Sequence, residues 1–144
     1  MRVLALGGSG GMGRFSSFAI SAFQNISKVT IADLNENNAV EFANNFDDSF
    51  VGIGLDVSDI DKLEKVMKEH DVVMNTTGPF FKYGVSILKS AIKCKCHYFD
   101  ICDDWEPTME MLKLSDEALK NDVTAIIGLG ASPGISNLLG LKAI

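Results

Sequence analysis

Apolar runs of strand length alternate with amphipathic runs of helix length from Arg2 to Leu129, and no other feature of the chain restricts its fold as tightly. Strands that read as continuous hydrophobic stretches, each followed by a helix, belong to a parallel sheet covered on both faces, because every crossover lays a helix against the sheet. The runs predict strands at Arg2–Gly7, Lys28–Asp33, Phe50–Leu55, Asp71–Thr76, His97–Ile101 and Val123–Leu129. The periodicity between them predicts helices over Gly11–Gln24, Glu36–Phe46, Asp59–Glu69, Lys82–Lys93 and Pro107–Lys120. Asn35 is placed to cap the second helix, Ser58 and Asp61 have capping-box spacing, and Pro107 suits a first helical turn. Two mononucleotide-binding halves then give an α/β, doubly wound fold: a mostly parallel six-stranded Rossmann sheet with helices on both faces, in a single domain over residues 1–144.

Gly8-Ser9-Gly10-Gly11-Met12-Gly13 follows the first strand directly and opens the first helix. This G-x-G-x-x-G placement is chemical as well as structural. Gly8 is expected to make the tight turn, Gly10 to let the backbone approach a pyrophosphate, and Gly13 to let helix and strand pack closely. Free amides at the helix start then meet the phosphate charge. Asp33, at the end of the second strand, stands where a carboxylate accepts hydrogen bonds from an adenosine ribose and repels a 2′-phosphate. Leu34 follows it, and no arginine lies in residues 33–38, although Arg14, just past the loop, is able to swing toward such a phosphate. The expected cofactor is therefore NAD, with NADP disfavoured.

Ligands of open parallel sheets bind beyond the carboxyl ends of the strands. Asp56 and Val57 follow the third strand, placed to meet the adenine, and Thr76, Thr77, Gly78, Pro79 and Phe80 follow the fourth, near the nicotinamide ribose. Cys102, Asp103, Asp104 and Trp105 follow the fifth. Phe80 and Phe81 read equally well as core residues, and Asp103 and Asp104 as favourable charges before a helix. His70 and His97 have no visible catalytic partner and are read as structural.

A formal net charge of -6 argues against a nucleic-acid partner, which needs clustered basic residues. No apolar stretch reaches membrane-spanning length and no signal peptide precedes the first strand, so the protein is expected in the cytoplasm. Its three cysteines, Cys94, Cys96 and Cys102, are read as reduced thiols. No metal is expected, since no second ligand pair completes the one near Cys94, Cys96 and His97.

The chain resembles the N-terminal domain of the saccharopine dehydrogenase family, which includes saccharopine reductases and lysine 6-dehydrogenase relatives. The likeness rests on the loop from Gly7 to Gly13, Ile31-Ala32-Asp33, Leu55-Asp56-Val57, Asn75-Thr76-Thr77-Gly78-Pro79-Phe80, His97-Tyr98-Phe99-Asp100-Ile101, and the run from Gly130 to Leu139. The resemblance implies an oxidoreductase acting at a carbon–nitrogen bond on a small, amino-acid-like substrate. It also implies that Thr77, Gly78, Pro79 and Phe80 line the nicotinamide side and that Asp103 lies toward the substrate. The last segment stays apolar to Ile144 without a stop signal, so the chain is expected to be a fragment lacking a C-terminal substrate domain and to be inactive alone. A homodimer is compatible with this reading. The alternative is a non-catalytic regulatory domain that binds NAD and reports it to a partner.

Overall fold

The computed structural model describes residues 1–144. Its elements are β1 (Arg2–Leu6), α1 (Gly11–Ser21), β2 (Lys28–Asp33), α2 (Glu36–Ala43), β3 (Phe50–Gly54), α3 (Ile60–Met67), β4 (Val72–Asn75), α4 (Phe80–Lys93), β5 (His97–Asp100), α5 (Trp105–Leu112), α6 (Ser115–Lys120) and β6 (Ala125–Ile126). A wide π-type turn at Ala131–Ile135 leads into α7 (Ser136–Ala143). The strands form one six-stranded sheet in the order β3-β2-β1-β4-β5-β6, and every pairing is parallel.

Residues along β1 point alternately to the two faces, which sorts the core into two layers. Leu4 and Leu6 pack with Leu63 and Met67 of α3 and with Ile87, Leu88, Ala91 and Ile92 of α4. Val3 and Ala5 pack on the other face with Ile20 of α1 and with Ala39, Phe42 and Ala43 of α2. Leu4, Leu6, Leu63 and Ile87 have no exposed surface, and each such side chain contributes about 1.5–3 kcal/mol through its burial. The strand order reverses between β1 and β4, so the crevice for a ligand opens beyond Leu6 and Asn75, which are paired in register. No helix is long and apolar enough to cross a membrane.

Local details depart from the sequence reading for identifiable reasons. Asp59, not Ser58, caps α3 by accepting from the Lys62 amide at 3.1 Å, because the Ser58 hydroxyl is already donated to Asp56 at 2.7 Å. The helix expected over Pro107–Lys120 is divided into α5 and α6, and Pro107 occupies a buried position inside the first turn of α5. The sixth strand is only Ala125–Ile126. Beyond it, Gly128 turns with φ 72° and its amide is taken by the Asp100 carboxylate at 2.8 Å, which ends the ladder.

Candidate cofactor-binding site

The chain leaves β1 through Gly7, whose φ of 67° lies in the left-handed region that favours glycine. The turn therefore rests on Gly7 rather than on Gly8, where a side chain is barred instead by the Ala5 carbonyl, 2.8 Å from an added Cβ. Gly13 is the tightest point of the loop: a Cβ there would stand 2.1 Å from the Gly7 carbonyl oxygen. Gly10 and Gly11 differ. A Cβ on Gly10 would meet only the Gly7 carbonyl at 3.2 Å, and one on Gly11 would meet nothing within 4 Å, so their bareness leaves open surface.

No side chain caps α1, and the first backbone bond at its start runs from the Arg14 amide to the Gly10 carbonyl at 2.9 Å. The amides of Gly11, Met12 and Gly13 thus donate to no protein acceptor. Three bare donors at the positive end of an 11-residue helix, with no Cβ above them at Gly10 or Gly11, fit a dinucleotide pyrophosphate.

Asp33 ends β2 beside this loop. Its Oδ2 accepts from the Ser9 hydroxyl at 2.6 Å, and its Oδ1 accepts from the Asn35 amide at 3.3 Å. Asn35 caps α2 as expected, accepting from the Asn38 amide. Leu34 projects outward, 76% exposed. Just past the neighbouring strand β3 the Asp56 carboxylate takes both the amide and the hydroxyl of Ser58, which hold it below the usual carboxylate range.

The loop after β4 is stitched to the glycine turn. The Thr76 hydroxyl donates to the carbonyls of Leu6 and Gly7 at 2.8 and 3.1 Å, and the Thr77 amide donates to the Asn75 side chain at 3.0 Å. The Thr77 hydroxyl is enclosed and has no protein partner, whereas Gly78 has open space around it. Phe80 is 8% exposed and belongs to the apolar core, so it supports the loop from behind, and Phe81 faces outward. Asp103 lies exposed in the loop after β5.

A cleft of about 160 Å³ gathers Gly7, Asp33, Leu34, Asp56, Val57, Thr77 and Gly78 along this edge. It is also lined by Tyr83, one turn into α4, which sequence reasoning missed; its signal was an aromatic residue one helical turn after the Gly-Pro-Phe loop. A larger hollow of about 360 Å³ lies apart, between Phe81, Val85 and the exposed face of α5. His70 is buried, bonded to the Val66 carbonyl and the Thr30 hydroxyl. Cys96 donates its thiol to the Met67 and His70 carbonyls.

Residues 3–126 match the family model described as the saccharopine dehydrogenase NADP binding domain. Saccharopine dehydrogenase [NADP(+), L-glutamate-forming] of Schizosaccharomyces pombe is 30% identical over 116 residues, which are 81% of this chain and 24% of that protein. The enzyme of the same name from Saccharomyces cerevisiae is 30% identical over 92 residues, 64% of this chain and 20% of the relative. Among solved structures, apo saccharopine dehydrogenase (L-Glu forming) from Saccharomyces cerevisiae superposes with a TM-score of 0.83 at 28% identity, covering 99% of this chain and 30% of that one. The chain thus spans about a quarter of the length of these relatives. These findings overturn the expected preference for NAD, since the matching family and both relatives are described by NADP. The expectation treated Asp33 as a free carboxylate facing the ribose, whereas Ser9 and Asn35 both donate to it.

Proposed function

The chain belongs to the saccharopine dehydrogenase NADP binding domain family, and from that premise we propose that it holds NADP(H) along the C-terminal edge of its sheet. It is the cofactor half of an oxidoreductase that acts at the carbon–nitrogen bond of a small amino-acid-like substrate or its imine. The observation that carries this reading is the set of unpartnered amides at Gly11, Met12 and Gly13 beneath open surface at Gly10 and Gly11.

When bound, the nicotinamide supplies the hydride-carrying carbon. The residues of this chain bind and orient. The loop from Gly8 through Ser9, Gly10, Gly11 and Met12 to Gly13 holds the pyrophosphate by backbone amides. Asp33 and Leu34 flank the adenosine ribose, and Asp56 and Val57 the adenine. Thr76 fixes the loop after β4 against the glycine turn. The unsatisfied Thr77 hydroxyl supports assigning Thr77, Gly78 and Pro79 to the nicotinamide side, with Phe80 as their apolar backing. Asp103 stands toward the substrate. Because the match covers 24% and 20% of the two relatives, residues 1–144 are assigned the cofactor and a separate domain most substrate contacts. Three free thiols support a reducing compartment such as the cytoplasm.

Equilibrium titration of the chain with NADPH and NADH, followed by nicotinamide fluorescence, tests the assignment. Saturable NADPH binding, tighter than that of NADH and weakened in Gly10→Ala, is the expected result. Tighter NADH binding, or binding of neither, overturns it.

A further inference from the structure

A 2′-phosphate brings about two negative charges at neutral pH to the end of β2, where Asp33 already stands and Glu36 opens α2. No lysine or arginine occurs between Lys28 and Lys62, so the loops after β2 and β3 supply none of the positive charge that phosphate recognition requires. A cation must come from another element. Lys82, at the start of α4, lies over the Tyr83 ring, 4.8 Å from its centroid, with the Asp56 carboxylate as its nearby opposite charge.

Arg14 lies in the first turns of α1, one residue past Gly13, and its position is fixed from two sides. Its Nε donates to the Ser9 carbonyl at 2.7 Å, and its guanidinium carbon stands 4.7 Å from the centroid of the Phe42 ring. Ser9 is the same residue whose hydroxyl holds Asp33, so Arg14 and Asp33 are linked through one intervening residue. Both Nη nitrogens of Arg14 lack a protein acceptor, the guanidinium is paired with no carboxylate, and the residue is exposed. An arginine held by Nε and by an aromatic face, with its terminal fork free, is preorganised for bidentate phosphate binding.

We propose that Arg14 is the specificity-determining residue of this domain: its free Nη pair binds the 2′-phosphate of NADP(H), with Phe42 as the platform that aims it and Ser9 keeping the Asp33 carboxylate turned to its own hydroxyl. This assignment rests on the NADP(H) reading given above and goes further by naming the group that tells the phosphorylated cofactor from the unphosphorylated one. The recognised class is an adenosine 2′-phosphomonoester, independent of the nicotinamide.

The experiment is a parallel titration of the wild-type chain, Arg14→Gln and Arg14→Lys with NADPH, NADH and adenosine 2′,5′-bisphosphate, the last as competitor. Arg14→Gln is expected to weaken NADPH and the bisphosphate by about ten- to a hundredfold, with NADH changed less than about threefold. Arg14→Lys retains the charge without the fork and falls between. NADH binding by the variant serves as the control for an intact fold. Equal losses for NADPH and NADH, or no loss for either, overturn the role of Arg14 while leaving the cofactor assignment standing. A wild-type chain that fails to bind NADPH overturns both.

Discussion

The Ser9 hydroxyl donates to Asp33 Oδ2 across 2.6 Å, joining the glycine loop to the end of β2, 24 residues away in sequence. The bond occupies one face of the carboxylate and leaves its charge in place. Replacing that charge with an amide keeps the size and removes the repulsion a 2′-phosphate meets there. Asp33→Asn is therefore expected to tighten NADPH binding by about three- to tenfold, the size of one screened charge pair near a protein surface. NADH, which gains nothing from the change, should bind no better. Fluorescence titration of both cofactors checks this, and an equal effect on the two would remove Asp33 from the discrimination.

The glycines of the loop separate into those the fold needs and those the ligand needs. A Cβ on Gly13 meets the Gly7 carbonyl at 2.1 Å, a backbone contact with no side chain to yield. Gly13→Ala is expected to cost about 3 kcal/mol of stability in urea unfolding. At Gly11, with nothing within 4 Å, alanine lowers the entropy of the unfolded chain and should raise stability by about 0.4–1 kcal/mol. Melting the two variants side by side decides the matter, and comparable losses would show that the loop is not divided in this way.

Strands β1 to β5 were legible because fully buried parallel strands are written as unbroken apolar runs, and the crossover helices between them carry their own period. The same signal overread β6. Val123–Leu129 is as apolar as the others, yet the Asp100 carboxylate and carbonyl capture the Gly128 and Leu129 amides, a tertiary competition that no local pattern displays. That the strand-end residues gather at one edge was legible from position alone, and Asp33, Asp56 and Thr77 share one cleft. Partners were not. The bond from Ser9 and the stacking of Arg14 on Phe42 depend on how α1 and α2 meet, and without them Asp33 read as a simple determinant for NAD.

Tyr98, Asn75 and Asp100 form a buried chain behind the site. Asn75 donates its amide to the Tyr98 oxygen at 2.9 Å, and the Tyr98 hydroxyl donates to Asp100 Oδ2 at 2.8 Å. Asp100 Oδ1 accepts from the Cys102 and Gly128 amides. Tyr98→Phe leaves a buried carboxylate oxygen and an amide unpaired, an expected loss of about 1–3 kcal/mol. Burial and the nearby Asp100 charge also hold the Tyr98 phenol well above its usual range. A raised folded value means stability is complete below the unfolded value of 10 and declines above it. Tyrosinate absorbance at alkaline pH, compared with Tyr98→Phe, should show this ring ionising only on unfolding.

His70 gives the chain an acid-sensitive point remote from the cofactor edge. Its Nδ1 lies 2.8 Å from the Val66 carbonyl, which can only accept, so the proton is on Nδ1 and Nε2 accepts from the Thr30 hydroxyl at 2.8 Å. The neutral ring thereby satisfies both partners in a position 6% exposed, and burial lowers its pKa below the usual 6.5. A second proton would need to displace the Thr30 hydroxyl from Nε2. Below pH 6.5 the unfolded chain binds more protons at this site than the folded one does, so its contribution is complete above that value and is lost as the pH falls through and below it. Urea unfolding across pH 5 to 8 should show stability falling on the acid side of this window, as about one proton is taken up on unfolding. In His70→Gln, which offers an amide donor and an acceptor but no titration, that slope should flatten although the stability at neutral pH is lower. An unchanged slope in the variant would remove His70 as its source; Asp71, which the Arg2 side chain and amide hold at about 2 against an ordinary 3.8, loses its contribution only at more acid pH, below this window.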